Sequence, residues 1–379
     1  MKYFRLQNNS TVISIDDIKI TSDSNNNKLD MCPSLVSYLT NSKNKINNLI
    51  DQWDNFKKYT NTYEFIHTQI PSSKFSISKY KPLSRSYFKM IEILNFFNLI
   101  KKFDNKINTF HLAEGPGGFI EAIAYLRKNK NDSYTGITLT TQDNSIPNWN
   151  KCKDIMKKYN NINLEYGIDN DGNILSPNNL RSCFLKYRNK MDLITADGGF
   201  DFSVDFNNQE KLATNLIFAE ICFAILTQKK GGTLILKYFD IFHKMSIDML
   251  YLLNCFYTTI TITKPCTSRV ANSEKYIVCE NFKFEDTSGY FNTLYKIFSD
   301  YDLKSCNITS LIKTDIPCIF INQVTEINYI LGQSQIENIN STIDLINNNN
   351  PDKLESIKKK NIAKCVEWCV KNNIPYHVA

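Results

Sequence analysis

The chain has 379 residues, with 45 Lys and Arg against 38 Asp and Glu and a formal charge of +7. A hydrophobic content of 42% and a charged content of 22% exclude a disordered chain, and at roughly 100–200 residues per domain the length fits one large domain or two. The best apolar stretch, Leu212 to Thr227, carries Glu220 and falls short of the about 18 apolar residues of a membrane span, so no membrane association is expected.

Residues 1–60 are polar and rich in Asn and Ser, and read as a peripheral, partly ordered extension. Met1 to Asp16 has no uninterrupted apolar run, so no secretory leader is expected. Over 61–105 the residues Tyr87, Met90, Ile91, Leu94 and Phe97 recur at helical spacing. From Thr109 short apolar runs alternate with helical stretches. Strands are expected at 109–113, 134–139, 162–166, 192–196, 232–237, 257–263 and 275–280, and helices at 118–128, 209–228 and 243–253. That alternation specifies an α/β fold with a doubly wound sheet. The last two strands are joined by a loop alone, which predicts an antiparallel edge pair on a mostly parallel sheet. After 283 the alternation fades into a mixed or helical tail, with an Asn-rich loop at 345–351 and a final helix near 353–371. The expected organisation is an extension over 1–60, an α/β domain with upstream helices over 61–282, and a C-terminal extension over 283–379.

The eleven cysteines are scattered, with no Cys-x-x-Cys pair, and His67, His111, His243 and His377 lie far apart. Cys365 and Cys369 stand i,i+4 without a second pair, so no metal is expected and reduced thiols in a cytoplasmic or nuclear setting are the simpler reading. The 47 asparagines, with runs such as Asn25 to Asn27, carry the imprint of an AT-rich genome and say nothing about chemistry.

Chemistry concentrates where strands end. Thr109-Phe-His-Leu-Ala-Glu-Gly-Pro-Gly-Gly-Phe119 runs from a strand through a glycine turn into a helix. Glycines let backbone approach a ligand, and a helix start offers free N–H groups. The spacing is neither the dinucleotide fingerprint nor a phosphate-binding loop. With acidic Glu114 beside it, the turn suits a small zwitterion such as S-adenosylmethionine better than a pyrophosphate. Met191-Asp-Leu-Ile-Thr-Ala-Asp-Gly-Gly199 ends a strand on Asp197, and Gly231-Gly-Thr-Leu-Ile-Leu-Lys237 ends another on a lysine. Burial there lowers a lysine pKa, which suits a general base. Ser268, Arg269, Asn272 and Glu274 precede the last strand. A surface charge or structural ion pair explains any one of these; several on one sheet point to a site.

Six strings together resemble the FtsJ-like 2′-O-ribose methyltransferases, most closely the cap-specific mRNA enzymes of eukaryotes and large DNA viruses. They are Ser84-Arg-Ser-Tyr-Phe-Lys-Met90, Ala113-Glu-Gly-Pro-Gly-Gly-Phe119, Gly167-Ile-Asp-Asn-Asp-Gly-Asn-Ile174, Thr195-Ala-Asp-Gly-Gly-Phe200, Leu236-Lys-Tyr-Phe-Asp240 and Lys264-Pro-Cys-Thr-Ser-Arg-Val-Ala-Asn-Ser-Glu-Lys-Tyr276, in the family's order over about half the chain. The resemblance implies a Rossmann-like S-adenosylmethionine-dependent fold with a mostly parallel seven-stranded sheet, an antiparallel edge strand and helices on both faces. It implies a catalytic tetrad of Lys89, Asp197, Lys237 and Glu274, with Lys237 taking the proton of the ribose 2′-hydroxyl. It places the cofactor against Glu114, Gly115, Pro116, Gly117, Gly118, Phe119, Asp169, Asp171 and Asp197, and RNA along Arg85, Ser268, Arg269 and Asn272. One departure is that no acid directly follows the second strand near Leu139; Asp143 is the nearest.

The implied activity is methylation of the first transcribed nucleotide of capped mRNA. The alternatives are another cap-proximal nucleotide, rRNA or tRNA, or a catalytically idle RNA-binding subunit. Capped RNA is the expected partner, with other capping or transcription proteins left open. The expected setting is the cytoplasm (a viral factory or virion if the source is viral) or the nucleus, not secretion.

Overall fold

All seven expected strands form and lie in one sheet, which sets the frame of the molecule. The computed structural model describes residues 1–7, 13–22, 31–103, 105–141, 143, 147–199, 207–300 and 308–377. In chain order its elements are β1 (Lys2–Arg5), β2 (Ile18–Ser22), α1 (Pro33–Asn44), α2 (Ile50–Thr60), α3 (Ser86–Phe96), β3 (Asn108–Leu112), α4 (Gly118–Arg127), β4 (Ser133–Ile137), α5 (Lys153–Lys158), β5 (Ile162–Glu165), α6 (Pro177–Tyr187), β6 (Met191–Ala196), α7 (Gln209–Thr227), β7 (Gln228–Tyr238), α8 (Lys244–Phe256), β8 (Tyr257–Lys264), β9 (Lys275–Phe282), α9 (Ser288–Asp300), β10 (Ile308–Ile312), α10 (Cys318–Asn348) and α11 (Pro351–Lys371).

The main sheet runs β1-β8-β9-β7-β6-β3-β4-β5. Strands β3 to β7 are mutually parallel, whereas β9 is antiparallel to both β7 and β8. Two expectations are corrected. The sheet has eight strands rather than seven, and its antiparallel strand β9 lies inside rather than at the edge. Lys275 to Cys279 are all buried, as befits a strand with a neighbour on each side. The edge is β1, antiparallel to β8, drawn from the segment read as peripheral. Four residues with Lys2, Tyr3 and Arg5 exposed are too short and polar to announce a strand.

Side chains alternate across the sheet, so each strand feeds two cores. Ile194 and Leu236 join Phe218, Phe223 and Leu250 on the face covered by α7 and α8. Leu193 and Ile235 join Phe88, Phe119, Ile123 and Trp368 on the face covered by α3, α4 and α11. The expected 345–351 loop shrinks, because α10 continues through Asn348 and Asn349 turns at φ 33°. Asn350 then caps α11 by accepting the Lys353 N–H at 3.1 Å. Beyond α11 the chain returns to 77–79: Lys79 N–H donates to Pro375 O and His377 N–H to Ile77 O, each at 2.8 Å.

Candidate active site

The carboxyl ends of β6 and β7 point to one edge of the sheet, and β9, being antiparallel, starts there. Lys237 is therefore in register with Tyr276, two residues after Glu274. Asp197 follows the last residue of β6, and α3 brings Lys89 over the same edge. The four expected tetrad residues meet. Lys89 Nζ lies 2.7 Å from Glu274 Oε2, and Lys237 Nζ lies 3.2 Å from Asp197 Oδ1 and 2.7 Å from the Asp197 carbonyl. Ser268 donates to the other Glu274 oxygen at 2.7 Å, and Tyr276 donates to Asp197 Oδ1 at 3.1 Å. The Lys89 ammonium stands 5.9 Å from the Tyr276 ring centre, joining the two pairs.

Burial pushes the Glu274 carboxyl up, but Lys89 and Lys237 outweigh it and hold the group well below the usual carboxylate range. Lys89 goes the other way: burial lowers its pKa against the pull of Glu274. Lys237 departs from the sequence reading. Burial pushes it down, yet Asp197, Glu274 and Glu220 together raise it above an ordinary lysine. Three acids around one ammonium decide the sign.

The glycine turn abuts this cluster. Gly117, at φ 108°, occupies the left-handed region and begins α4. A Cβ on Gly118 would come within 2.3 Å of both the Ser84 and Ser86 hydroxyl oxygens. Glycine here lets the start of α4 nest against the start of α3, the helix that carries Lys89. Glu114 is buried and accepts N–H groups from Phe119 and, at 3.4 Å, Ile120. Its carboxylate faces the α4 N-terminus, and burial pushes its pKa well up. Phe119 is wholly buried in the core, so only its backbone belongs to the turn.

Asp169 and Asp171 build the loop after β5. Asp169 accepts from the Ser176 hydroxyl and, at 3.2 Å, the Asn178 amide; Asp171 accepts from Asn173 N–H at 2.9 Å and Asn179 Nδ2 at 2.8 Å. Gly172 presses this loop onto the end of β4, since a Cβ there would stand 2.0 Å from the Thr138 carbonyl oxygen. Asp143 is exposed, and its N–H donates to Thr141 Oγ1 at 3.1 Å. Phe200, the last residue of its string, lies outside the described residues.

The four expected RNA contacts divide. Arg269 forms a forked pair with buried Glu64, its Nε at 3.2 and 3.1 Å from the two oxygens. Ser268 serves Glu274, and Asn272 Oδ1 accepts the Glu274 N–H at 3.1 Å. Arg85 donates to Thr267 O at 3.4 Å, while its buried Nε has no partner. It lines a cleft of about 340 Å³ with His67, Lys74, Phe75 and Lys81. His67 Nε2 also lacks a hydrogen-bond partner, and burial pushes the ring pKa down to about 3, leaving it neutral.

Sequence reasoning missed several supports. Glu92, one turn after Lys89, accepts Cys266 N–H at 2.8 Å and Thr267 N–H at 3.1 Å, which fixes the loop bearing Ser268. The available signal was an acid spaced i+3 from Lys89 on an otherwise apolar helix. Lys264 donates to Glu274 O at 2.7 Å, and burial pushes its pKa down to about 7.

The family model described as FtsJ-like methyltransferase matches residues 82–282. The mouse "Cap-specific mRNA (nucleoside-2'-O-)-methyltransferase 2" is 30% identical over 260 residues, 65% of this chain and 33% of that protein. The human "Cap-specific mRNA (nucleoside-2'-O-)-methyltransferase 1" is 35% identical over 179 residues, 45% of this chain and 21% of that one. "Probable methyltransferase EP424R" of African swine fever virus is 30% identical over 219 residues, 52% of this chain and 49% of that one. The chain thus spans about a third of the first of these relatives and about half of the viral one.

Proposed function

The chain belongs to the FtsJ-like methyltransferase family, and on that premise we propose that it methylates the ribose 2′-hydroxyl of the first transcribed nucleotide of capped mRNA. The observation that carries this reading is the pair of lysine–carboxylate contacts, Lys237–Asp197 and Lys89–Glu274, beside a glycine turn at the carboxyl ends of the strands. S-adenosylmethionine, when bound, supplies an electrophilic methyl group on a sulfonium. The site fits such a group. Gly115, Gly117 and Gly118 leave Pro116 as the one side chain of the turn after β3, and Asp197 and Glu274 favour a cation. A Cβ on Gly199 would stand 3.0 Å from Lys237 Nζ, so glycine keeps the approach to that nitrogen clear.

Lys237 is the general base of this reading. As a neutral amine it has two hydrogens, and Asp197 offers two acceptors, its carbonyl and Oδ1. The lone pair is then left for the 2′-hydroxyl. A cationic methyl donor, when bound, would oppose the three acids and move the Lys237 pKa back towards the working range. Glu274 and Ser268 hold Lys89, and Tyr276 holds Asp197, so few rotamers need to change as the step begins. The step balances: the 2′-oxygen would give its proton to Lys237 Nζ and take the methyl carbon, the sulfur–methyl bond breaking with its electron pair left on the neutral thioether S-adenosylhomocysteine. The cleft lined by Arg85, Lys74 and Lys81 gives the RNA a positively charged route past Lys89.

The test is label transfer from S-adenosylmethionine to short capped and uncapped RNAs, with the modified nucleotide identified by nuclease digestion. Label on the 2′-oxygen next to the cap, lost in Lys237→Ala, is expected. Label on a base, or equal transfer to uncapped RNA, overturns it. The second reading is a neighbouring cap-proximal nucleotide; the match to the mouse methyltransferase 2 covers 65% of this chain, against 45% for the human methyltransferase 1.

A further inference from the structure

One ionisable group beside Lys237 has no task in this chemistry. Glu220 sits in the middle of α7, flanked by core residues Phe218, Ile221 and Phe223, and is 0% exposed. A carboxyl is costly there, where leucine would pack. Its Oε1 accepts the Gly198 N–H at 2.9 Å, and its Oε2 has no hydrogen-bond partner. Gly198 permits this approach, since a Cβ would stand 2.3 Å from that same Oε1.

The Gly198 N–H and the Asp197 carbonyl belong to one peptide group. Lys237 donates to that carbonyl at 2.7 Å. Glu220, the planar peptide and Lys237 therefore form one hydrogen-bonded line. A negative charge at the N–H end makes the carbonyl oxygen a stronger acceptor and favours the ammonium form of Lys237. Among the described residues, the charges facing Lys237 are Asp197 after β6, Glu274 before β9, Glu220 from α7 and Lys89 from α3, and those facing Glu220 are Lys237 and Asp197.

We propose that Glu220 is a positioning residue for Lys237: it fixes the Asp197–Gly198 peptide that Lys237 bonds, and its charge sets how readily Lys237 takes up a proton. This rests on the reading of Lys237 as base. Burial pushes the Glu220 pKa up to about 8 against the pull of Lys237, so Glu220 changes its charge, and with it the field at Lys237, in the working range.

Glu220→Gln keeps the acceptor for Gly198 and removes the charge. The measurement is the single-turnover rate of methyl transfer against pH, with S-adenosylhomocysteine affinity and thermal unfolding as controls. The expected result is unchanged affinity and a rate midpoint moved towards acid by about one pH unit. An unmoved midpoint in a folded, active variant overturns the inference. If Glu220→Gln fails to fold, Glu220→Met, which removes the charge and suits the apolar surroundings of α7, must move the midpoint the same way, and an unmoved one overturns the inference equally. Wild-type protein that transfers no label to a 2′-oxygen, or Lys237→Ala that transfers it normally, refutes the underlying reading instead.

Discussion

Glu274→Gln isolates the charge that holds Lys89. Lys89 is 6% exposed, and its Nζ sits 2.7 Å from Glu274 Oε2. Removing one partner of a buried ion pair costs about 3–5 kcal/mol, because the other charge stays buried. Glutamine can still accept from Ser268, and Asp197 still attracts Lys89 at longer range, so about 3 kcal/mol is expected. Urea unfolding at pH 7 measures it. The sign with pH follows from the depressed Glu274 pKa. Its contribution is complete above the ordinary glutamate value of about 4.3 and drains as pH falls below it towards the folded value. The gap between wild type and variant therefore narrows on acidification. Adding Lys89→Met removes the stranded charge and recovers most of the loss. A gap under about 1 kcal/mol at pH 7, a gap that does not change with pH, or a double variant no more stable than the single one refutes the reasoning.

Other outcomes follow from single contacts. Lys237→Met lowers transfer by about 10²-fold or more with S-adenosylhomocysteine affinity retained, read by single-turnover kinetics and calorimetry. Gly118→Ala pushes the Ser84–Ser86 start of α3 away and lowers the rate by about 10²-fold, and Ser86→Ala in the same chain restores part of it. Glu114→Ala strands the Phe119 and Ile120 N–H groups, costing about 2 kcal/mol in urea unfolding and weakening the cofactor analogue. Arg85→Ala weakens RNA binding and reduces its log–log salt slope by about 1, whereas Arg269→Ala lowers stability by stranding Glu64.

Seven of the eight strands of the sheet were legible because buried strands are short apolar runs, and Asp197, Lys237 and Glu274 stood out because strand ends are countable, whereas Lys89, on a helix, joined them only through the family resemblance. What was not legible depends on distant partners. The ion pair of Arg269 with Glu64, 205 residues away, has no signal in the string that carries Arg269. The hydrogen bonds by which Ser176, Asn178 and Asn179 orient Asp169 and Asp171 were likewise not legible. The sign of the Lys237 shift needs the sum of three acids from three elements. Strand β1 stayed hidden because its pairing, not its composition, makes it a strand.

That edge strand also bears on how the chain reaches its fold. Lys2 pairs with Lys264, so the sheet closes at this side only when segments some 260 residues apart meet. Until then β8 exposes a row of free backbone groups, with Ile260 and Ile262 close by. Such an open edge is a template for another copy of the chain, and contacts between distant residues form slowly. Once docked, β1 turns Lys2, Tyr3 and Arg5 outward, and two charges in four residues discourage further addition. Removing those four residues need not touch the tetrad at all, yet would leave a chain that refolds poorly and aggregates at high concentration.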